Sequence, residues 1–166
     1  MWRGIKLSKP KKEDIICILD ADDIIKKNAL RIVGKAYKKN PNCLLTYGSF
    51  VKKTDGKRTS AKGPYPPSAH PRKARWRASH FKTFKYKLFK KLPKTEFLHK
   101  GEWLEAASDL ALMIPLMEMA GLSRTKYISD IIYIWRDNYK FSTNKKAQRK
   151  SKAIIMSKGP LRRISI

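Results

Sequence analysis

An apolar run that ends on a cluster of carboxylates constrains this chain more than any other feature. Residues 15–25 read Ile-Ile-Cys-Ile-Leu-Asp-Ala-Asp-Asp-Ile-Ile, so Asp20, Asp22 and Asp23 crowd the end of five apolar residues. A short run rich in β-branched side chains suits a buried strand of a parallel sheet, and open α/β sheets bind ligands beyond the carboxyl ends of such strands. In an extended segment alternate side chains project to one side. Asp20 and Asp22 would then share a hard divalent cation, Mg²⁺ or Mn²⁺, which prefers oxygen ligands. The pattern suggests a metal-bound diphosphate. The competing use is capping, with Asp22 or Asp23 accepting a free amide of a helix expected from Ile24. Capping explains one aspartate, and three together repel one another unless a cation or hydrogen-bond donors compensate. The local pattern leaves both uses open.

The 166 residues suffice for one domain, and a hydrophobic content of 42% suffices for a core. No apolar run approaches the length of a membrane span, and the first residues lack a secretory-signal pattern, so a cytoplasmic location is expected. Cys17 lies within the apolar run and Cys43 opens another, which suits two buried thiols better than a disulfide or a zinc site. The net charge of +26, from 39 Lys and Arg against 13 Asp and Glu, is placed unevenly. Lys52–Lys100 carries 16 basic residues and 2 acids, and Tyr139–Ile166 carries 9 basic residues and no acid. Such fields attract phosphate in nucleic acid, a nucleotide-sugar or an anionic membrane surface, and charge alone does not choose among them.

Along the chain, Ile25, Ala29, Ile32, Val33, Ala36 and Tyr37 share a helical face that Asn40-Pro41 ends. Residues 43–51 then read as a second strand, which makes a strand–helix–strand unit and an α/β fold. Gly63-Pro64-Tyr65-Pro66-Pro67 marks a loop. Ser79 is placed to cap a basic amphipathic helix with Phe81, Phe84, Leu88 and Phe89 on one face. That spacing favours a buried stripe over a stacking platform for single-stranded nucleic acid. Residues 108–121 are apolar almost all round, so they read as a buried helix with Asp109 at its amino end and Gly121 just past its carboxyl end. Pro115 should bend this helix or force a later start. Ile131–Trp135 reads as another buried strand, and the basic remainder from Lys140 as a marginal helix or a mobile tail.

Taken in order, the strand, Asp20-Ala-Asp22-Asp23, the helix, the second strand, Ser79-His80-Phe-Lys-Thr-Phe-Lys, Ser108-Asp109-Leu-Ala-Leu-Met-Ile-Pro-Leu-Met-Glu118 and Ile-Ile-Tyr133-Ile-Trp-Arg136 resemble family-2 glycosyltransferases of the GT-A fold. The similarity covers roughly residues 13–139. The resemblance implies a partial GT-A, Rossmann-like mixed sheet flanked by helices over residues 1–139, followed by a basic carboxyl-terminal tail over 140–166. It implies that Asp20 and Asp22 hold Mn²⁺ or Mg²⁺ against the diphosphate of a nucleotide-sugar, that Asp23 assists or caps, and that Asp109 is the general base. The implied reaction is an inverting displacement by the hydroxyl of a glycan or protein acceptor. His80, with its neighbours Arg77 and Lys82, would touch sugar-donor phosphates or the acceptor, or is simply a partly exposed histidine. Arg136 matches a polar position near the diphosphate.

Two departures from the family pattern follow. Relatives often carry a histidine metal ligand shortly after that position, where this chain has Asp137 or Asn138. Complete members also have strands ahead of the Asp-x-Asp that build the nucleobase pocket, whereas this chain reaches Asp20 almost at once. The expectation is a truncated or split enzyme whose intact function needs a separate chain completing the amino-terminal half. A basic nucleic-acid-binding protein is the alternative, supported by the charge but by no recognisable motif. A metal-dependent nuclease is a third, since it too clusters aspartates.

Overall fold

Helices and short strands alternate along the chain. In order they are α1 (Trp2–Leu7), β1 (Ile15–Ile18), β2 (Ile24–Ile25), α2 (Ala29–Lys39), β3 (Leu45–Gly48), β4 (Phe50–Lys52), β5 (Ser79–Lys85), α3 (Tyr86–Phe89), β6 (Leu98–His99), β7 (Glu102–Trp103), α4 (Ser108–Ala120), β8 (Thr125–Tyr127), β9 (Tyr133–Trp135) and α5 (Lys145–Ser157). This is a computed structural model, and it describes residues 1–54, 63–136 and 144–165. Among them no helix is long and apolar enough to cross a membrane.

The larger sheet has the spatial order β1-β5-β3-β8. β5 runs antiparallel to both β1 and β3, and β3 runs parallel to β8. Because β1 and β3 both oppose β5, they share a direction, and β1–α2–β3 is the strand–helix–strand unit with β5 inserted between its strands. A smaller sheet sets β9 between β2, antiparallel to it, and β4, parallel to it. The fold is therefore mixed α/β with mixed sheets flanked by helices.

Period-two alternation along β5 feeds two cores. Phe84 packs into the main cluster with Leu45, Tyr47 and the α4 residues Leu112, Met113, Leu116 and Met117. Phe81 packs into a second cluster with Ala29, Val33 and Tyr37 of α2. On that second face the Tyr37 and Thr83 hydroxyls lie 3.0 Å apart, and those of Thr83 and Thr46 2.6 Å apart, so these buried polar groups satisfy one another. The Ser79 helix expected from the sequence is thus a strand followed by one turn of helix, Tyr86–Phe89. A strand covered on both faces loses the apolar–polar alternation of a half-exposed one, and its phenylalanines fell by chance on helical spacing.

Other expectations are corrected in the same way. β1 is a half-buried edge strand, not a buried parallel one, and Cys17 on it is exposed. Ile24 and Ile25 belong to β2, and α2 begins only at Ala29, after Asn28. The segment read as one strand over 43–51 divides at Ser49, with β3 in one sheet and β4 in the other. Gly48 permits the crossing: a Cβ there would stand 3.1 Å from the His80 carbonyl oxygen and 3.2 Å from that of Ile128. The predicted helix over 108–121 is present as α4. It starts at Ser108, runs through Pro115 and ends at Gly121 with φ +74°.

The basic end of the chain takes the helical of its two expected forms. The Asn144 side chain caps α5 by accepting the Ala147 amide at 3.0 Å, and Ala147, Ser151 and Ile155 form its buried face. Beyond α5 the Ile164 amide donates to the Met119 carbonyl at 3.0 Å. Under this corner Arg72, 4% exposed, donates to both oxygens of Glu118 at 2.8 Å and to Glu96 at 3.4 Å, and also reaches the Ile155 carbonyl. Burial alone would lower the pKa of Arg72, but the two carboxylates outweigh it and raise it. Arg72→Met should therefore lower stability by about 3–5 kcal/mol, the cost of stranding a buried charge. Urea unfolding checks this, and a loss below about 1 kcal/mol would show that Glu118 finds other compensation.

Candidate functional site

The carboxyl end of β1, the middle of β5 and the amino end of α4 meet at a cleft of about 450 Å³, whose lining includes Asp20, Trp76, His80, Lys82, Ser108 and Asp109. Each arrives for a local reason. Asp20 is where the apolar run of β1 stops. His80 and Lys82 are alternate residues of β5, so they face the same side as Phe84, toward α4. Asp109 sits in the first turn of α4, where unpaired amides favour a carboxylate. Ala107, also in the lining, enters α4 with φ +57°, a left-handed conformation that its Cβ resists.

The charges in the cleft are few and close. Lys82 Nζ lies 3.1 Å from Asp109 Oδ2, and the lysine side chain is 4% exposed where the aspartate is 41% exposed. His80 Nε2 stands 3.9 Å from Asp20 Oδ2. The imidazole stacks on Tyr133 with centroids 4.4 Å apart, and its Nδ1 is buried with no hydrogen-bond partner among the described residues. Burial, and after it the charge of Lys82, pushes His80 down to about 3, so the ring is neutral at physiological pH. Burial also raises the Asp20 carboxyl above its ordinary value. Lys82 opposes that shift, and the carboxylates of Asp23, Asp109 and Asp22 reinforce it.

The aspartate cluster is not extended. Residues 20–23 form a turn closed by the Asp23 amide donating to the Asp20 carbonyl at 3.0 Å, so the alternation that placed Asp20 and Asp22 on one side does not apply. Asp20 enters the cleft lining, and Asp22 does not. Asp23 turns the other way: its Oδ2 accepts the Tyr133 hydroxyl at 2.6 Å and its Oδ1 the Arg136 amide at 2.9 Å. Burial, and after it the hydrogen bond to Asp23, raises Tyr133, which keeps it a donor. Asp23 therefore caps the end of β9 rather than a helix. Arg136 is held beside the turn through its backbone. Asp137 and Asn138, the positions facing the missing histidine ligand, lie outside the described residues.

Among the described residues no three His, Cys, Asp or Glu side chains gather as a metal site. The chain thus offers a hard cation one or two carboxylates, Asp20 with Asp22 next to it. That donor set fits Mg²⁺ or Mn²⁺ when substrate phosphates complete the shell, since these ions keep few protein ligands. Mutual repulsion around Asp20 is what a cation would relieve. The Lys82–Asp109 pair was missed in the sequence because a helical reading of 79–89 points its lysines to solvent, whereas the strand turns Lys82 inward. No protein-family model matches this chain, and no curated protein matches it.

A neutral, largely covered His80 has a consequence for stability. An unfolded histidine takes up a proton near pH 6.5, whereas folded His80 resists until about 3. Between those values the unfolded state binds more protons, so this residue withdraws stability as pH falls through that window. His80→Gln should lose less stability than the wild type between about pH 7 and pH 5. Urea titrations at both pH values measure this, and equal losses in the two proteins would mean that His80 is charged in the fold.

Proposed function

We propose that this chain carries the metal-binding carboxylates and the general base of a family-2-like glycosyltransferase of the GT-A fold. One observation supports the reading above the rest. Asp20, at a strand end, and Asp109, at a helix amino end, line the same cleft although 89 positions separate them (109 minus 20). A carboxylate for a cation and a second, part-exposed carboxylate across a cleft are what a metal-assisted displacement requires.

The proposed substrates are a nucleotide-sugar and an acceptor hydroxyl on a glycan or protein. Asp20 would hold Mn²⁺ or Mg²⁺ from the cleft lining, with Asp22 of the same turn as the second ligand only if its side chain turns toward the cleft, and a cation there would offset the charge of the diphosphate. Asp109 accepts the acceptor hydroxyl's proton as that oxygen bonds to the anomeric carbon. The bond from that carbon to the diphosphate breaks with its electron pair on the leaving oxygen, which inverts the centre. His80, neutral, takes no part as a cation; its place beside Asp20 suits packing against the sugar donor. Arg136 stands next to the aspartate turn and suits its phosphates. β1 pairs only with β5 among the described residues, and Leu19 beyond it is 46% exposed, which suits a separate chain adding to that edge and completing a nucleobase pocket.

Asp109→Asn keeps volume and capping but removes the proton acceptor. With Mn²⁺, a panel of nucleotide-sugars and simple glycoside acceptors, it should cut transfer by about two orders of magnitude or more without loss of nucleoside-diphosphate binding. Transfer at the wild-type rate would remove Asp109 from the role. Asp20→Asn should instead weaken Mn²⁺-dependent binding of the nucleoside diphosphate in calorimetry, and equal binding would remove the metal assignment.

A second reading, nonspecific nucleic-acid binding, is favoured by a different cavity of about 510 Å³ lined by Lys12, Lys87, Lys90, Lys91 and Ser165. It offers charge without base-reading groups. Binding to unrelated oligonucleotides should then be equal and fall steeply with salt. A preference for one sequence that survives high salt would promote this reading over the first.

A further inference from the structure

The contact between Lys82 and Asp109 conflicts with a freely available base. Asp109 Oδ2 faces an ammonium at 3.1 Å, so one of the oxygens that would accept a proton is already engaged. Lys82 is also the only lysine or arginine in the cleft lining among the described residues. A diphosphate entering beside Asp20 and Asp109 meets carboxylates first, and Lys82 is the lysine that lines the cleft there.

From this geometry we infer that Lys82 is an exchangeable cation: it masks Asp109 in the ligand-free protein and moves to the diphosphate of the incoming sugar donor, releasing the carboxylate for the acceptor. The inference rests on the diphosphate site proposed above. Three properties support the exchange. The pair is single rather than forked, because a lysine ammonium is a point charge on a flexible stem, unlike the planar guanidinium that grips both oxygens of Glu118 elsewhere in this fold. The field of Lys82 already reaches past Asp109, since it acts on both Asp20 and His80. A diphosphate also carries more charge than one carboxylate and so competes well for the ammonium in a partly desolvated cleft. Exchange would keep the base engaged until the sugar donor is present.

The test is a double-mutant cycle on affinity for inorganic pyrophosphate with Mn²⁺, measured by calorimetry on the full chain. If Lys82 is shared, Asp109→Asn frees it and should tighten pyrophosphate binding by about 3- to 10-fold, while Lys82→Met should weaken binding by about 10-fold and abolish the gain from Asp109→Asn. If Asp109 acts only through its field, the gain persists in the Lys82→Met background, and the exchange is overturned. Because loss of a buried lysine can disturb folding, the wild type supplies a second readout. With ¹⁵N-lysine labelling, the Lys82 ammonium resonance should shift on adding pyrophosphate, and an unmoved resonance in saturated protein overturns the exchange while leaving the diphosphate site intact. Absence of any pyrophosphate binding by the wild type would instead overturn the diphosphate reading and this inference with it.

Discussion

The fold depends on β5 being buried on both faces. Its alternation sends Phe81 and Thr83 toward α2, and Lys82 and Phe84 toward α4, so one strand supplies both apolar clusters. Because it also lies between β1 and β3, its backbone groups are committed on both edges. A charged residue in such a position is costly unless paired. Lys82 is there, and its pairing partner is Asp109, which sets the amino end of α4 against the sheet. The site is thus a product of the same alternation that builds the core.

The aspartate turn is organised by a different device. Tyr133 on β9 donates to Asp23, accepts the Asp20 amide at 3.4 Å and carries His80 on its ring face. One buried side chain therefore fixes the two residues that face each other at the cleft, Asp20 and His80. The small sheet has a purpose in this arrangement, since β9 pairs with β2 immediately after the turn and brings Tyr133 under it. A loss of the Tyr133 hydroxyl would leave Asp23 without its strongest partner and the turn without its anchor.

How far this was legible in the sequence differs by element. The apolar run of β1, the closing Asn40 of α2 and the all-round apolar α4 with Gly121 past its end carry strong local signals, and each is present. Asp20 and Asp109 each stand at an element end, one in the aspartate cluster and one opening an apolar helix, and the fold brings both to the same cleft lining. What could not be read locally came from neighbours in space. Residues 79–85 have a helix-compatible pattern because both faces are buried, and only the partner strands β1 and β3 decide otherwise. Ile24-Ile25 form a strand only because β9 is there to pair with them. Asp23 looked like a helix cap because its true partners, Tyr133 and the Arg136 amide, lie more than a hundred positions away.

Two buried ion pairs show how similar chemistry serves opposite ends. Arg72 is gripped by both oxygens of Glu118, touched by Glu96 and enclosed by α4, α5 and the segment beyond it, whose Leu161 amide also donates to Glu118 at 3.1 Å. Arg72 has three acceptors there and Glu118 accepts from both Arg72 and Leu161, which fixes one arrangement and joins the basic carboxyl-terminal stretch to the core. Among the described residues Lys82 has a single carboxylate partner, and that partner is 41% exposed and lines a cleft. In a chain of net charge +26, cations are plentiful and carboxylates scarce, so where each acid is spent distinguishes framework from site. Glu118 and Glu96 are consumed by the framework, Asp23 by the turn, and Asp20 and Asp109 are left facing solvent across the same space. A fully satisfied pair is worth more to stability than to chemistry. An under-satisfied one, open on one side, has the freedom that binding an anion would use.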